Sequence, residues 1–126
     1  MRKPITPHLH GIMDYAIGTS LMVLPGVIGL EQKAVRSYQA IGTAILGVNS
    51  MTDSNTGVKR ILSMKTHQRA DLSLLASVAL ATITPTFRKD KKAMIFHIAF
   101  LAISAAQYML TDFDYDNLES LTDELG

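Results

Sequence analysis

The sequence contains no cysteine and no tryptophan among its 126 residues. Without cysteine there is no disulfide framework, no thiolate zinc site and no cysteine nucleophile. Charge is also scarce. Asp, Glu, Lys and Arg make up 18% of the chain, against about 25% in ordinary soluble domains. The net charge of +1 gives no electrostatic footprint for nucleic acid. No Gly-rich phosphate loop, nucleophile elbow or HExxH helix is present. The reading therefore leans away from an enzyme. What the chain does have is apolar residues, 48% of the total with a mean hydropathy of +0.19, which excludes disorder. A mass of 13.8 kDa fits a single domain over residues 1–126.

The few charges are confined to certain stretches. Charge-free runs of equal length separate Asp14 from Glu31, Arg36 from Asp53 and Asp71 from Arg88, and a longer one separates Lys92 from Asp112. A soluble amphipathic helix carries a polar face at every turn. These windows offer only Ser, Thr, Gln, Asn, Tyr and one His. The pattern predicts an all-α chain with four transmembrane spans, at roughly 7–30, 36–52, 67–87 and 92–112. As helix, the shorter windows reach only about 24 Å, less than the roughly 30 Å hydrocarbon core. Snorkelling Lys and Arg and local thinning cover such a shortfall. The alternative is a soluble four-helix bundle that hides its apolar faces in an oligomer.

Local signals place the boundaries. Thr6-Pro7 reads as a helix N-cap with proline at the first position. Pro25-Gly26 is expected to kink or end the first span. Residues 52–57 read as a polar turn and 58–65 as a basic, amphipathic interfacial stretch, with Thr66 capping the third span. Pro85 is expected to interrupt that span. The acidic tail, 113–126, is expected to be solvated. Arg2 and Lys3 are followed by Pro4, Pro7 and Asp14, which does not make a cleavable signal, so the first span is expected to be retained. Short connections imply up-and-down topology. Orientation is undecided, because the two sides of the membrane would carry equal numbers of Lys and Arg. Small and polar residues are expected to mediate helix contact: Gln39, Thr43, Gly47 and Ser50, then Ser73, Ser77 and Ala81, then Ala102 and Ala106.

The chain also repeats itself. His10-Gly-Ile-Met-Asp14 returns in the second half as His67-Gln-Arg-Ala-Asp71, and Thr52-Asp53 returns at a closely similar interval as Thr111-Asp112. Pro25 returns roughly as Pro85. Two tandem helical hairpins follow, at about 8–53 and 66–112, joined by a linker over 54–65 and related by an axis near the membrane normal. The run from Ile5 to Tyr15, the pair Thr52-Asp53 before Gly57-Val58-Lys59-Arg60-Ile61, and His67 with Asp71 together resemble small bacterial integral-membrane proteins of the SPW-repeat type. Leu24-Pro25-Gly26 and Thr84-Pro85-Thr86 stand where that family carries Ser-Pro-Trp. The resemblance implies four transmembrane helices in two repeats, in a family without an established activity, and the charge-free spans are read as those of a multi-pass inner-membrane protein.

The repeated residues define the candidate site. His10 and Asp14 share a helix face, as do His67 and Asp71. With Asp53 and Asp112 they would ring one end of the bundle. Such a ring would stabilise the hairpins in a structural or interaction component of the membrane. Two other readings stay open: an ion- or proton-coupled transporter, and a redox subunit binding a metal or quinone. No cofactor is expected, a divalent metal at this ring being the one exception. His97, Ser104 and Gln107 form an intramembrane polar line on the fourth span. The expected partners are the lipid bilayer and a further copy of the chain.

Overall fold

The computed structural model describes residues 2–54 and 56–114. Among these the chain is all-helical: α1 (Pro7–Val27), α2 (Gln32–Met51), α3 (Met64–Ala81), the single turn α4 (Pro85–Arg88) and α5 (Lys91–Leu110). The acidic tail expected over 113–126 lies outside the described residues except for Phe113 and Asp114, as does residue 55 of the polar turn. Among the described residues one helix, α5, is long and apolar enough along its whole length to cross a membrane.

The caps explain where the helices begin. Thr6 accepts from the Leu9 N–H at 3.2 Å, with Pro7 following at the first helical position. Ser63, rather than Thr66, caps α3 by accepting from the Thr66 N–H at 3.1 Å, so α3 starts at Met64, earlier than expected. Asp90 accepts from the Lys92 and Ala93 N–H groups and opens α5.

The helix ends correct one expectation and bear out another. Pro25 neither breaks nor ends α1, which continues through it to Val27. The stop comes at Gly29, whose φ of 78° is the left-handed conformation glycine adopts without steric cost. Its N–H bonds Gly26 O, and the Leu30 N–H bonds Pro25 O, which closes a Schellman motif. Pro85 interrupts the third span as expected, α3 ending at Ala81. It is the first residue of α4, after Thr84 Oγ1 has bonded the Ala81 carbonyl. The two prolines are thus not structural equivalents. The stretch 58–63 is not helical. Its backbone bonds back to Ser50 and Met51, and it pairs with the end of α2 through a Thr52–Leu62 bridge.

α1 and α2 pack closely along their length because both carry glycine at the contact. A Cβ on Gly42 would stand 2.7 Å from Gly18 O. Of the residues expected to do this work, Gln39 and Thr43 bond across to Met22 of α1, while others lie elsewhere. Gly47 has open space around it, and Ser73, Ser77, Ala102 and Ala106 are exposed.

At one end of the molecule the starts of α1 and α3 meet the ends of α2 and α5, and the same backbone bonds occur twice. Ile5 N donates to Leu110 O and Asp112 N to Ile5 O. Leu62 N donates to Met51 O and Asp53 N to Leu62 O. Ile5 stands as far from Leu62 along the chain as His10 does from His67, and Met51 as far from Leu110 as Thr52 from Thr111. The structural repeat therefore keeps the register of the sequence repeat. At the other end Lys92 Nζ donates to Ile28 O at 2.6 Å.

The interior is unusual in composition. Leu21, Leu30, Val35, Tyr38, Val78, Phe87 and Phe100 form most of its apolar part. An equal share is polar: His10, Asp14, Asn49, Thr52, His67, His97, Gln107, Thr111 and Asp112 are all buried. Large apolar side chains point outward instead, among them Val27 at 74% exposure, Leu80 at 68% and Ile95 at 62%.

Candidate functional site

The helix starts carry the central cluster. His10 and Asp14 lie one turn apart on α1, and His67 and Asp71 one turn apart on α3, so each pair faces the same way. The packing of the two halves brings the pairs together. His10 Nε2 lies 3.3 Å from Asp14 Oδ2 and 2.9 Å from Asp71 Oδ2. His67 Nε2 lies 3.0 Å from Asp14 Oδ2 and 3.2 Å from Asp71 Oδ2. The two nitrogens and two oxygens thus alternate around a small ring, all within 4.8 Å of one another. The imidazoles meet edge to face with centroids 5.2 Å apart.

The helix ends hold the outer nitrogens. Thr111 Oγ1 sits 2.8 Å from His10 Nδ1, and Thr52 Oγ1 sits 2.7 Å from His67 Nδ1. Each hydroxyl donates its single proton to the carbonyl four residues back, Gln107 O or Val48 O. Each Nδ1 must therefore carry the proton it shares with threonine. Both histidines are fixed as N–H donors on the outside, with Nε2 turned to the centre. Gln107 donates from Nε2 to Asp14 Oδ1 at 2.8 Å and holds that carboxylate from behind. The two halves cross over: His10 uses the threonine at the end of α5, and His67 the one at the end of α2.

Two of the six residues expected in the ring are not part of it. Asp53 is exposed, and its backbone N–H takes part in the loop pairing with Leu62. Asp112 is buried, but it too follows the helix that reaches the cluster, and the residue that reaches in is Thr111. Thr52 and Thr111 are the residues that sequence reasoning missed. The recurrence of Thr-Asp in the second half was the available signal, and the threonine of each pair carries it. Asn49 was missed as well. It donates to Gly11 O at 2.8 Å, while Tyr15 OH donates to Thr56 O at 2.6 Å and ties the following loop over α1.

The polar line on α5 divides between two places. Gln107 belongs to the cluster, and Ser104 lines a cavity of about 30 Å³ beside it with His10, Asp14, Asp71 and Tyr108. His97 lies deeper, apart from the cluster. Its Nε2 donates to Val78 O at 2.8 Å, so its Nδ1 accepts from Tyr38 OH at 2.9 Å. Phe87 stacks on its ring at 4.2 Å. Every polar atom of that imidazole has a protein partner, which leaves none for a ligand.

No protein-family model, no curated protein and no solved structure matches this chain. The likeness to the SPW-repeat type therefore rests on the residues quoted for it.

Proposed function

We propose that the chain is a small integral membrane protein. In this reading its four long helices cross the bilayer as an up-and-down bundle of two tandem hairpins, and the His/Asp quartet clamps one hairpin to the other. The observation that carries this reading is the inverted distribution of polarity. Water-soluble folds bury apolar side chains and expose charged ones. Here the charge-free faces of α1, α3 and α5 present Ile12, Val23, Leu72, Leu80, Ile95, Ile98 and Ile103 outward. His10, His67, His97, Asp14, Asp112, Asn49 and Gln107 point inward, as ionisable groups do within membrane bundles.

Length supports the same reading. α1, α2 and α5 have 21, 20 and 20 residues and α3 has 18. At 1.5 Å per residue each covers roughly 27–31 Å, close to the hydrocarbon thickness. The gain over the charge-free windows comes from first and second turns that carry Lys33 and Arg36 in α2 and Lys65 and Arg69 in α3, residues able to snorkel. α2 and α3 are less apolar than α5 because they carry Lys33, Arg36, Lys65 and Arg69 near their starts and the exposed Ser37, Ser73 and Ser77. The close approach at Gly18 and Gly42 is the contact that helices use in lipid, where no hydrophobic drive separates them from solvent. The crossed threonine bonds and doubled backbone bridges support the tandem arrangement.

The native chain has no cysteine, so single cysteines report on the environment directly. In native membranes, Ile98→Cys and Ile103→Cys are expected to resist a membrane-impermeant maleimide until detergent is added, while Lys89→Cys reacts from one side. Equal, rapid labelling of all three before detergent would contradict the assignment.

A further inference from the structure

Four short edges join the quartet, from 2.9 to 3.3 Å. Two imidazoles carry at most two Nε2 protons, and each N–H points well at one acceptor. Protons alone therefore align with two edges at most and leave the others without a hydrogen bond. The alignment agrees. The His67–Asp14 edge is a hydrogen bond, 3.0 Å long. His10 Nε2 and Asp71 Oδ2 are 2.9 Å apart, yet both are shielded from solvent without a hydrogen-bond partner. A cation at the centre satisfies all four edges together.

The geometry points to a divalent transition-metal site of the zinc type, with His10 Nε2, His67 Nε2, Asp14 Oδ2 and Asp71 Oδ2 as ligands. Two imidazoles with two carboxylates suit zinc, whereas magnesium and calcium favour all-oxygen sets. Tetrahedral ligands about 2.0–2.2 Å from zinc stand roughly 3.3–3.6 Å apart. The observed edges lie at or inside that range, so a tetrahedral ion requires the edges to open slightly while the pairs across the ring, within 4.8 Å of one another, draw together. Two carboxylates cancel the charge of a divalent ion, which leaves the loaded site neutral in apolar surroundings.

The outer partners fit the same assignment. Metal-binding histidines use their second nitrogen to donate a hydrogen bond that fixes ring orientation. Thr111 and Thr52 receive that bond here, and Gln107 fixes the Asp14 carboxylate. The adjoining cavity of about 30 Å³ has room for one water. Asp71 keeps 19% of its side-chain exposure, against 2–8% for the other three ligands, so the ion reaches the site past Asp71. There a groove lined by Ala44, Val48, Ala70 and Ser73 meets it.

The inference shares the quartet with the membrane reading, but its ligands stand whatever covers the outer faces. The test uses the full chain, purified on a tag without histidine, stripped with a chelator and titrated with Zn²⁺. One zinc per chain is expected, with X-ray absorption reporting two nitrogen and two oxygen ligands at about 2.0–2.2 Å. His67→Gln and Asp71→Asn are expected to lose stoichiometric binding, and Asp71→Asn, at the accessible corner, keeps the helical circular dichroism of the parent. Thr52→Val touches no ligand atom in the ring and is expected to weaken zinc about 10- to 100-fold. His8→Ala removes an exposed imidazole outside the quartet and binds as the parent does. A folded parent that binds no zinc, or an Asp71→Asn variant that binds it equally, overturns the site. Carbonate-extractable protein that still holds one zinc contradicts the membrane reading alone. Membrane-retained protein without zinc affinity contradicts the site alone.

Discussion

Thr52 and Thr111 hold His67 and His10 in the same way, each accepting from Nδ1 while donating to the carbonyl four residues back. The bonds cross between the halves of the chain, so neither hairpin completes its own histidine. Loss of either hydroxyl is expected to produce the same defect. Thr52→Val and Thr111→Val should each leave a buried Nδ1–H without a partner and cost about 1–3 kcal/mol. Serine at either position should restore most of it. Thermal unfolding in detergent measures both. A neutral Thr111→Val alongside a damaging Thr52→Val would show that the two halves are not equivalent.

Asp14 joins both histidines and Gln107 through one carboxylate. Asp14→Ala removes the shared carboxylate and leaves two imidazoles and an amide facing a void. Breaking a buried ionic contact from one side costs about 3–5 kcal/mol. A large loss of thermal stability is expected, together with easier separation of α1 from α3 in crosslinking. An unchanged melting point would mean that the quartet does not clamp the hairpins.

Gly18 and Gly42 give an ordered pair of outcomes. A Cβ on Gly42 meets the Gly18 carbonyl at 2.7 Å, whereas one on Gly18 meets the Leu46 side chain at 2.7 Å and the Gly42 carbonyl only at 3.2 Å. Leu46 can rotate away and backbone cannot. Gly42→Ala is therefore expected to destabilise more than Gly18→Ala, by about 1–3 kcal/mol for an overpacked contact. The reverse order, read from unfolding midpoints, would place the close approach elsewhere.

Tyr38 and His97 supply a control remote from the quartet. Tyr38→Phe removes the hydroxyl that donates to His97 Nδ1 and leaves the ring packing against Phe87, Phe96 and Phe100 intact. A loss of about 1–3 kcal/mol is expected for the unpaired buried nitrogen, with zinc affinity unchanged. A parallel fall in zinc affinity would mean that destabilisation alone explains the quartet variants.

Much of this architecture is legible in the sequence, and the failures have physical causes. Charge-free windows located the four long helices, since ionised side chains avoid both apolar cores and lipid. The spacing of His10 with Asp14 and of His67 with Asp71 placed each pair on one face, and the structure brings the pairs together. Asp53 and Asp112 misled because the backbone has left the helix at Thr52 and Thr111, where it is extended and successive side chains turn to different sides, so the threonine meets the histidine and the aspartate does not. Within α2, a helix turns about 100° per residue, and a misjudged phase put the close helix contact at Gly47 instead of Gly42. Pro25 misled because a proline inside a helix costs one hydrogen bond but does not stop the chain when packing on both sides holds it. The stop depended on Gly29, whose left-handed backbone is invisible without coordinates.

The most direct measurement is fractionation of cells expressing the untagged chain, with the membranes washed in alkaline carbonate. If lipid covers the outward Val, Leu and Ile side chains, the protein stays in the washed pellet and leaves it only with detergent. Protein found in the supernatant, stable and monodisperse without detergent, would contradict that, and a second copy of the chain would then have to cover the same faces.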